Sequence, residues 1–354
     1  MIAPPVRRFA VILAISAMST ALLAACANES TRQPSPSLTR SSSTPTATPT
    51  PTQTIAPTPP PPRILISPLT GLPIDAVRPV LVVKVDNTRA ARPQAGVSSA
   101  DVVYVEEVEG GVTRLAAVFS SALPASVGPI RSARTTDIEL FAQYGPITLA
   151  YSGANEGVQE ELNRSGLHLL SDDLGAPGFA RERGRPAVYN LMGDPTAFVA
   201  ALPSRNAPDI GFRFGPAAPG GKPIGNITAS YPRASIGAAW DPGSGRWLMS
   251  LDGRAAPAAE GGQLSAATVV VQYVDVEDSG YVDVVGSPTP LVRTVGSGPA
   301  VVLRDGVGYD ATWSRPFPLT RTSFSGANKL PIPFAPGPVW VLLVNKANPI
   351  AVSP

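Results

Sequence analysis

The chain has little of the two residues that most often build metal and redox sites. Among its 354 residues it has one cysteine, Cys26, and one histidine, His168. A single cysteine excludes an internal disulfide framework and a cysteine-based metal site, and a lone histidine cannot form a histidine-rich one. Zinc-protease, phosphate-loop and hydrolase nucleophile motifs are also missing from the sequence. We therefore predict no metal and no cofactor, and the sequence leaves any catalytic residue unassigned.

The chain also lacks an excess of charge of either sign. It has 28 basic and 26 acidic residues, and two of the basic ones, Arg7 and Arg8, lie in an N-terminal segment that we expect to be removed. The remaining charges then balance. A protein with no excess positive charge has no bulk attraction for polyanions, so we expect no nucleic-acid partner.

The first 25 residues have the pattern of an export signal. Arg7 and Arg8 precede an apolar run, 9–25, which ends in small residues directly before Cys26. Leu23-Ala-Ala-Cys26 resembles the bacterial lipobox, after which a peptidase cuts before a lipid-modified cysteine. A membrane-spanning helix is the alternative, but the run is slightly short for one. We predict a signal peptide over 1–25, a lipid such as palmitate on Cys26, and attachment to the outer face of the cell membrane.

Residues 26–62 are dominated by Ser, Thr and Pro and offer few apolar side chains to bury. This composition is typical of a disordered linker. A polyproline-like chain of this length would reach about 110 Å. We predict a tether between the lipid and the folded part, either to cross a cell-wall layer or as a general spacer.

The rest of the chain is long enough for two modest domains. The patterns predict an α+β (or α/β) domain over 63–205, a linker over 206–222, a smaller mainly β domain over 223–346 and a tail over 347–354. In the first domain, 79–85 reads as a buried strand, and 101–109 with 112–119 reads as a hairpin that turns at Gly110-Gly111. That turn would place Glu107 opposite Arg114.

Three helix starts and four later strands complete the pattern. Thr135 or Thr136 is expected to cap a helix that ends near Tyr144, Asn155 a second, and Asp194 with Pro195 a third. Strands are predicted at 268–276, 281–285, 300–304 and 339–344, with Asp305-Gly306 as a turn.

Polar side chains that local structure does not require are concentrated in the first domain. The candidate ligand-binding residues are Asp86, Asn87, Arg92, Gln94, Asp101, Glu109, Arg114, Arg131 and Arg134.

Several short motifs carry these residues in a fixed order. They are Asp86-Asn87, Ala91-Arg-Pro-Gln94, Ala100-Asp101, Val108-Glu-Gly-Gly-Val-Thr-Arg114 and Gly128-Pro-Ile-Arg-Ser-Ala-Arg134. Together they resemble the YerB-like family of bacterial lipoproteins, a two-part domain of unknown function. The resemblance covers roughly 67–345 and implies an envelope lipoprotein without an assigned reaction. The chain departs from the family pattern where Tyr151 and Tyr189 stand in place of histidines, so a role that needs those histidines would be lost.

The polar residues allow three interpretations. The arginines could converge on an anionic envelope ligand, since a guanidinium group binds phosphate or carboxylate through paired hydrogen bonds. Two of the carboxylates could instead act as acid and base of a hydrolase or transferase on an envelope glycan. Finally, the charges could simply pair with each other and fix the fold. We favour a binding or scaffolding module for an anionic cell-wall polymer or an envelope protein, with the enzyme as the alternative.

Overall fold

A computed structural model describes residues 64–200, 202, 205–283 and 285–354. The predicted signal peptide, the lipidation site at Cys26 and the predicted tether lie outside the described residues. None of the helices in the described ranges combines the length and the apolar character needed to span a bilayer.

The described chain is mostly β, with three short α-helices, so the expected α+β description fits only loosely. The elements of the first part are β1 (Leu65–Ile66), β2 (Pro73–Ile74), β3 (Leu81–Asp86), β4 (Val102–Glu107), β5 (Thr113–Phe119), α1 (Thr135–Ala142), β6 (Thr148–Tyr151), α2 (Glu156–Arg164), β7 (His168–Ser171), β8 (Phe179–Arg181), β9 (Leu191–Gly193) and α3 (Pro195–Val199). Single 3₁₀ turns occupy Arg89–Ala91, Val97–Ser99 and Glu109–Gly111.

The second part consists of strands alone. They are β10 (Lys222–Pro223), β11 (Asn226–Tyr231), β12 (Ala234–Asp241), β13 (Arg246–Leu251), β14 (Arg254–Ala255), β15 (Ser265–Ala266), β16 (Thr268–Val274), β17 (Val276–Val282), β18 (Pro288–Val292), β19 (Gly296–Arg304), β20 (Val307–Arg315), β21 (Ser323–Ser325), β22 (Val339–Asn345) and β23 (Ile350–Ser353). Most predicted strands are found here, although the one expected at 281–285 begins earlier, as β17.

One eleven-stranded sheet joins the two parts. Its order is β10-β20-β19-β16-β22-β4-β5-β3-β6-β7, with β21 added beside β20. The late strand β22 lies parallel to β16 on one side and parallel to β4 on the other. The first and second parts are therefore distinct in sequence but share a continuous set of backbone hydrogen bonds.

The structure differs from the expected domain division at two segments. Residues 206–222, expected to be a linker, bury Ala207, Ile210 and Phe212 in the core. Phe212 packs 4.8 Å from Phe334, ring centre to ring centre. Residues 347–354, expected to be a tail, contain β23, which pairs with β11. Pro and Gly interrupt the periodicity of these segments, but their apolar side chains still reach the core.

Two layers cover the large sheet. A smaller sheet, β14-β13-β12-β11-β23 with β15, shares one core with the side chains of Leu81, Val83 and Val85 on β3. Helices α1 and α2 cover the other face, where Phe141 and Leu162 join a second core. Because strand residues alternate between faces, β3 is apolar toward the small sheet and presents Lys84 and Asp86 toward the helices.

The helix caps agree with two of the three predictions. Asn155 accepts a hydrogen bond from the Gly157 amide at the start of α2, and Asp194 accepts from the Thr196 amide at the start of α3. For α1 the prediction was wrong, because Arg134 occupies the N-cap position. The Asp137 carboxylate reaches back to the Arg134 amide at 2.7 Å, and the helix starts one residue earlier than a Thr135 cap would give and two earlier than a Thr136 cap.

The predicted hairpin is present, but its register differs by one residue. Arg114 lies opposite Glu106 rather than Glu107, because the loop has three residues, 109–111, instead of two. A one-residue shift moves a side chain to the other face of the sheet. Arg114 therefore points to the helix side with Glu106. The expected pairing of Glu107 with Arg114 was wrong.

Candidate functional site

A cavity of about 440 Å³ opens where β3 ends and the β4–β5 hairpin turns, beneath the starts of α1 and α2 and beside the β17–β18 hairpin. We call it the arginine cavity. Its lining residues are Asp86, Thr88, Val108, Glu109, Val112, Thr113, Arg114, Arg131, Ser132, Arg134, Ala154, Asn155, Val158, Asp173, Val282, Asp283 and Thr289. Five of the nine candidate residues, Asp86, Glu109, Arg114, Arg131 and Arg134, are brought together here.

Arg131 forms an ion pair with Asp86. Its Nε lies 2.8 Å from Asp86 Oδ2. The Asp86 carboxylate is buried, and its other oxygen accepts a hydrogen bond from the Thr88 amide at 2.6 Å. The Arg131 side chain is still 30% exposed. Asp86 therefore holds the Nε edge of the guanidinium, the Tyr189 ring lies 6.0 Å from its centre, and the side chain stays partly exposed on the cavity wall.

Arg134 forms a tighter pair with Glu109. Arg134 Nε lies 2.6 Å from Glu109 Oε1, and Nη2 donates to Oε2 at 2.6 Å. The hydroxyl of Thr289, on β18, also donates to Oε1 at 2.6 Å. Burial alone would raise the pKa of Glu109, but the hydrogen bonds and the charge of Arg134 outweigh it and hold the pKa below its ordinary value. Both parts of the chain thus contribute to this pair.

Arg114 is the buried cation of the cavity without a carboxylate partner. Within the described residues no carboxylate oxygen lies within 4 Å of its guanidinium, although it is only 8% exposed. Its Nη1 donates to the backbone oxygen of Ser132 at 3.0 Å. Burial, and next the positive charge of Arg134, lower the pKa of Arg114. The charges of Glu109 and Asp86 oppose this lowering in part, although neither carboxylate comes within 4 Å of the guanidinium.

A buried network that the sequence analysis missed lies beneath the cavity. The ammonium group of Lys84 lies 2.7 Å from Asp137 Oδ1 and contacts Glu106. All three side chains are fully buried. Burial lowers the pKa of Lys84 to about 8. The sequence feature that could have revealed this network is Lys84 itself, a lysine within an apolar strand. A buried lysine requires acidic partners.

Three other candidate residues, Asn87, Arg92 and Gln94, form a hydrogen-bond network next to the cavity and do not line it. Gln94 Nε2 donates to Asn87 Oδ1 at 3.0 Å, and Asn87 Nδ2 donates to the Thr113 hydroxyl at 2.8 Å. Arg92 pairs with Asp252 at 2.9 Å and donates to the Asn87 carbonyl at 2.6 Å. These contacts anchor the 87–94 loop to the hairpin and to the second part.

Asp101 does not join the group. It lies at the opposite end of β4, where its Oδ2 accepts hydrogen bonds from the amides of Ser120 and Ser121 at 2.6 and 2.8 Å. Burial raises the pKa of Asp101. The structure does not bring Asp101 together with the other candidates, because β4 separates it from Glu109 by the length of the strand.

The arrangement is suited to holding an oxyanion. Three guanidinium groups line one wall, and two of them are fixed by buried carboxylates, which orients their remaining donors. Within the described residues no three His, Cys, Asp or Glu side chains come together as metal ligands.

The fold and the comparisons with protein families define a protein built of an N-terminal and a C-terminal domain of one family. A family model described as "Protein of unknown function (DUF3048) N-terminal domain" matches residues 69–208, and the corresponding C-terminal domain model matches 227–341. The chain belongs to this YerB-like two-part family.

Two comparisons with individual proteins agree with this membership. YerB from Bacillus subtilis (strain 168), which is named as a candidate lipoprotein, is 40% identical over 109 residues, or 30% of this chain and 32% of YerB. That alignment spans about a third of the relative's length. The crystal structure of YerB from Bacillus subtilis superposes with a TM-score of 0.69 at 21% identity, covering 81% of this chain and 99% of that one. The structural likeness establishes the shared fold.

Proposed function

We propose that the protein is a lipid-anchored binding module on the outer face of the bacterial cell membrane, and that the arginine cavity takes an anionic group of a cell-wall polymer or an envelope protein. The lipobox-like sequence before Cys26 supports the anchor, as does the name of the relative YerB. Lipid on Cys26 would provide the membrane attachment.

The observation that supports the binding role is that Arg114 is buried without a carboxylate partner among the described residues. Its guanidinium is largely buried, makes one hydrogen bond, to the Ser132 carbonyl, and has no carboxylate oxygen within 4 Å among the described residues. An oxyanion that enters the cavity would supply the missing charge partner. Arg131 and Arg134 add donors on the same wall and are already held in place by Asp86 and Glu109. The site therefore needs little rearrangement to bind an anion.

The same geometry gives less support to the glycan-cleaving alternative. A general acid near neutral pH needs a carboxyl with a raised pKa. In the cavity, Glu109 has a lowered pKa because Arg134 holds its charged form, and Asp86 is occupied by Arg131. Asp101, whose pKa is raised, lies at the far end of β4.

Titration of the purified full-length mature protein with inorganic pyrophosphate tests the proposal. We expect saturable binding, and a loss of about tenfold or more in affinity in Arg114→Gln, since a hydrogen bond to a charged group contributes about 1.5–3 kcal/mol. Arg315→Gln is the matched control, because Arg315 is also buried and donates to backbone carbonyls but lies outside the cavity. Wild-type affinity in Arg114→Gln, or an equal loss in Arg315→Gln, would contradict the proposal.

Lipidation is tested separately. In cells fed radiolabelled palmitate, the wild-type chain should take up label and Cys26→Ala should take up none. Label entering Cys26→Ala would reject the anchor without affecting the binding proposal.

A further inference from the structure

A second cavity of about 530 Å³ adjoins the arginine cavity. It lies between the 87–89 loop, the β4–β5 hairpin and the turn that joins β11 to β12. We call it the bridging cavity, and its lining residues are Asn87, Thr88, Arg89, Val112, Thr113, Tyr231, Pro232, Arg233, Ala234, Ser235 and Asp252. Thr88, Val112 and Thr113 line both cavities. The two spaces therefore meet along the start of β5.

The side chains that line the bridging cavity give it a net positive charge. Arg89 and Arg233 are exposed, and within the described residues neither has a carboxylate oxygen within 4 Å. Asp252, the acidic residue of the lining, is already paired with Arg92. Two cations thus remain to meet a ligand, one on the 87–89 loop of the first part and one on the β11–β12 turn of the second.

The position of Arg233 is fixed by the hairpin. Its backbone amide donates to the Gly111 carbonyl at 2.8 Å. Its guanidinium lies beside the hairpin tip, 3.9 Å from where a Cβ on Gly110 would be. The same hairpin carries Glu109 and Arg114 into the arginine cavity. The hairpin therefore sets the spacing between Arg233 and Arg114.

The remaining wall of the bridging cavity is formed by the end of β11 and the turn that follows it. Tyr231 ends β11, directly before the turn that carries Arg233. The cavity thus combines two unpaired cations with the side chains of Asn87 and Ser235.

We propose that the two cavities form one groove for a linear polyanion, with one anionic group at Arg114 and a neighbouring group of the same chain at Arg89 and Arg233. This inference rests on the proposed function, because it assumes that the arginine cavity binds an anion. It adds that the ligand is a polymer with repeated oxyanions, and that both family domains contact it. A single small anion would occupy one cavity and leave the second pair of cations unused.

The length of the ligand tests this inference. Two linked contacts bind more tightly than either alone, typically by about 10²-fold or more when the linker fits the spacing. We therefore expect long-chain polyphosphate to bind the full-length mature protein about 100-fold more tightly than pyrophosphate, at equal concentration of phosphate groups. In Arg89→Gln/Arg233→Gln that gain should disappear, while pyrophosphate affinity stays at the wild-type value.

A matched control separates the groove from a general attraction of arginines for polyanions. Arg164 and Arg321 are also exposed, at 70% and 58%, and lie outside both cavities. Arg164→Gln/Arg321→Gln should keep the full gain with chain length. No gain in the wild type, or an equal loss in the two double variants, would overturn the polymer groove. Failure of pyrophosphate to bind at all would instead reject the proposed function, so the two failures are distinguishable.

Discussion

Arg134 and Glu109 approach each other at two points, Nε to Oε1 and Nη2 to Oε2, each 2.6 Å apart. Nη2 donates a charge-assisted hydrogen bond, and the short Nε–Oε1 distance adds charge attraction. Both side chains are largely buried, at 11% and 7% exposed. The pair links the loop of the β4–β5 hairpin to the start of α1, and Thr289 extends it to β18.

Removal of either Arg134 or Glu109 alone should therefore lower the stability of the fold. Arg134→Gln leaves the Glu109 carboxylate buried without its cation, and we expect a fall of about 3 kcal/mol in the free energy of unfolding. The double variant Glu109→Gln/Arg134→Gln removes the stranded charge and should recover most of that loss. Arg164→Gln is the control, because its exposed contact with Glu160 is 3.9 Å long and should contribute less than about 0.5 kcal/mol. Urea denaturation of the four proteins measures these differences.

The same pair predicts how stability depends on pH. The folded-state pKa of Glu109 lies below its ordinary value of 4.5, so its contribution is fully present above pH 4.5 and is lost as the pH falls through the folded-state pKa. The free energy of unfolding of the wild type minus that of Glu109→Gln/Arg134→Gln should be constant from pH 7 to 5 and shrink below about 4.5. A difference that grows in acid would show that Glu109 is protonated in the folded protein.

Two adjacent glycines allow a matched test of the contact between the hairpin and the β11–β12 turn. Gly110 and Gly111 both have left-handed backbone angles, with φ near +70°. An alanine at either costs about 1–2 kcal/mol for that conformation. Only at Gly111 would the new Cβ also collide, at 2.5 Å from the Pro232 side chain. We expect Gly111→Ala to lower the thermal midpoint further than Gly110→Ala. Equal midpoints would show that the hairpin can move away from the turn without cost.

Local structure could be predicted where a single segment decides it. The apolar run that forms β3 and the Asn155 cap of α2 are features of neighbouring residues, and both were found as expected. The start of α1 was missed because the Asp137 carboxylate accepts a hydrogen bond from the Arg134 amide and so makes Arg134 the N-cap residue. Short-range patterns do not rank this interaction against a threonine cap. The hairpin register was missed because Glu109 enters the loop, where Arg134 and Thr289 hold it. Those partners are 25 and 180 residues away.

The candidate site was predictable as a set of residue types but not as a geometry. The ordered motifs identified Asp86, Glu109, Arg114, Arg131 and Arg134, which line one cavity. No pattern along the chain could show that Arg131 and Arg134 have acidic partners while Arg114 has none. That difference arises only when β3, β5 and the 131–134 segment pack together. Arg89 and Arg233 were missed for a similar reason, since they lie in different matched domains, 69–208 and 227–341.

The position of β22 has a consequence for the order in which the chain can fold as it is synthesised. The edge of β4 stays open until residues 339–345 have emerged, because β22 is the strand that covers it and connects it to β16. An open, apolar strand edge is a template for pairing with other chains. Truncated or stalled chains that end before Val339 should therefore aggregate. The described sheet is therefore finished only when β22, one of the last strands to be made, pairs with β4, one of the first.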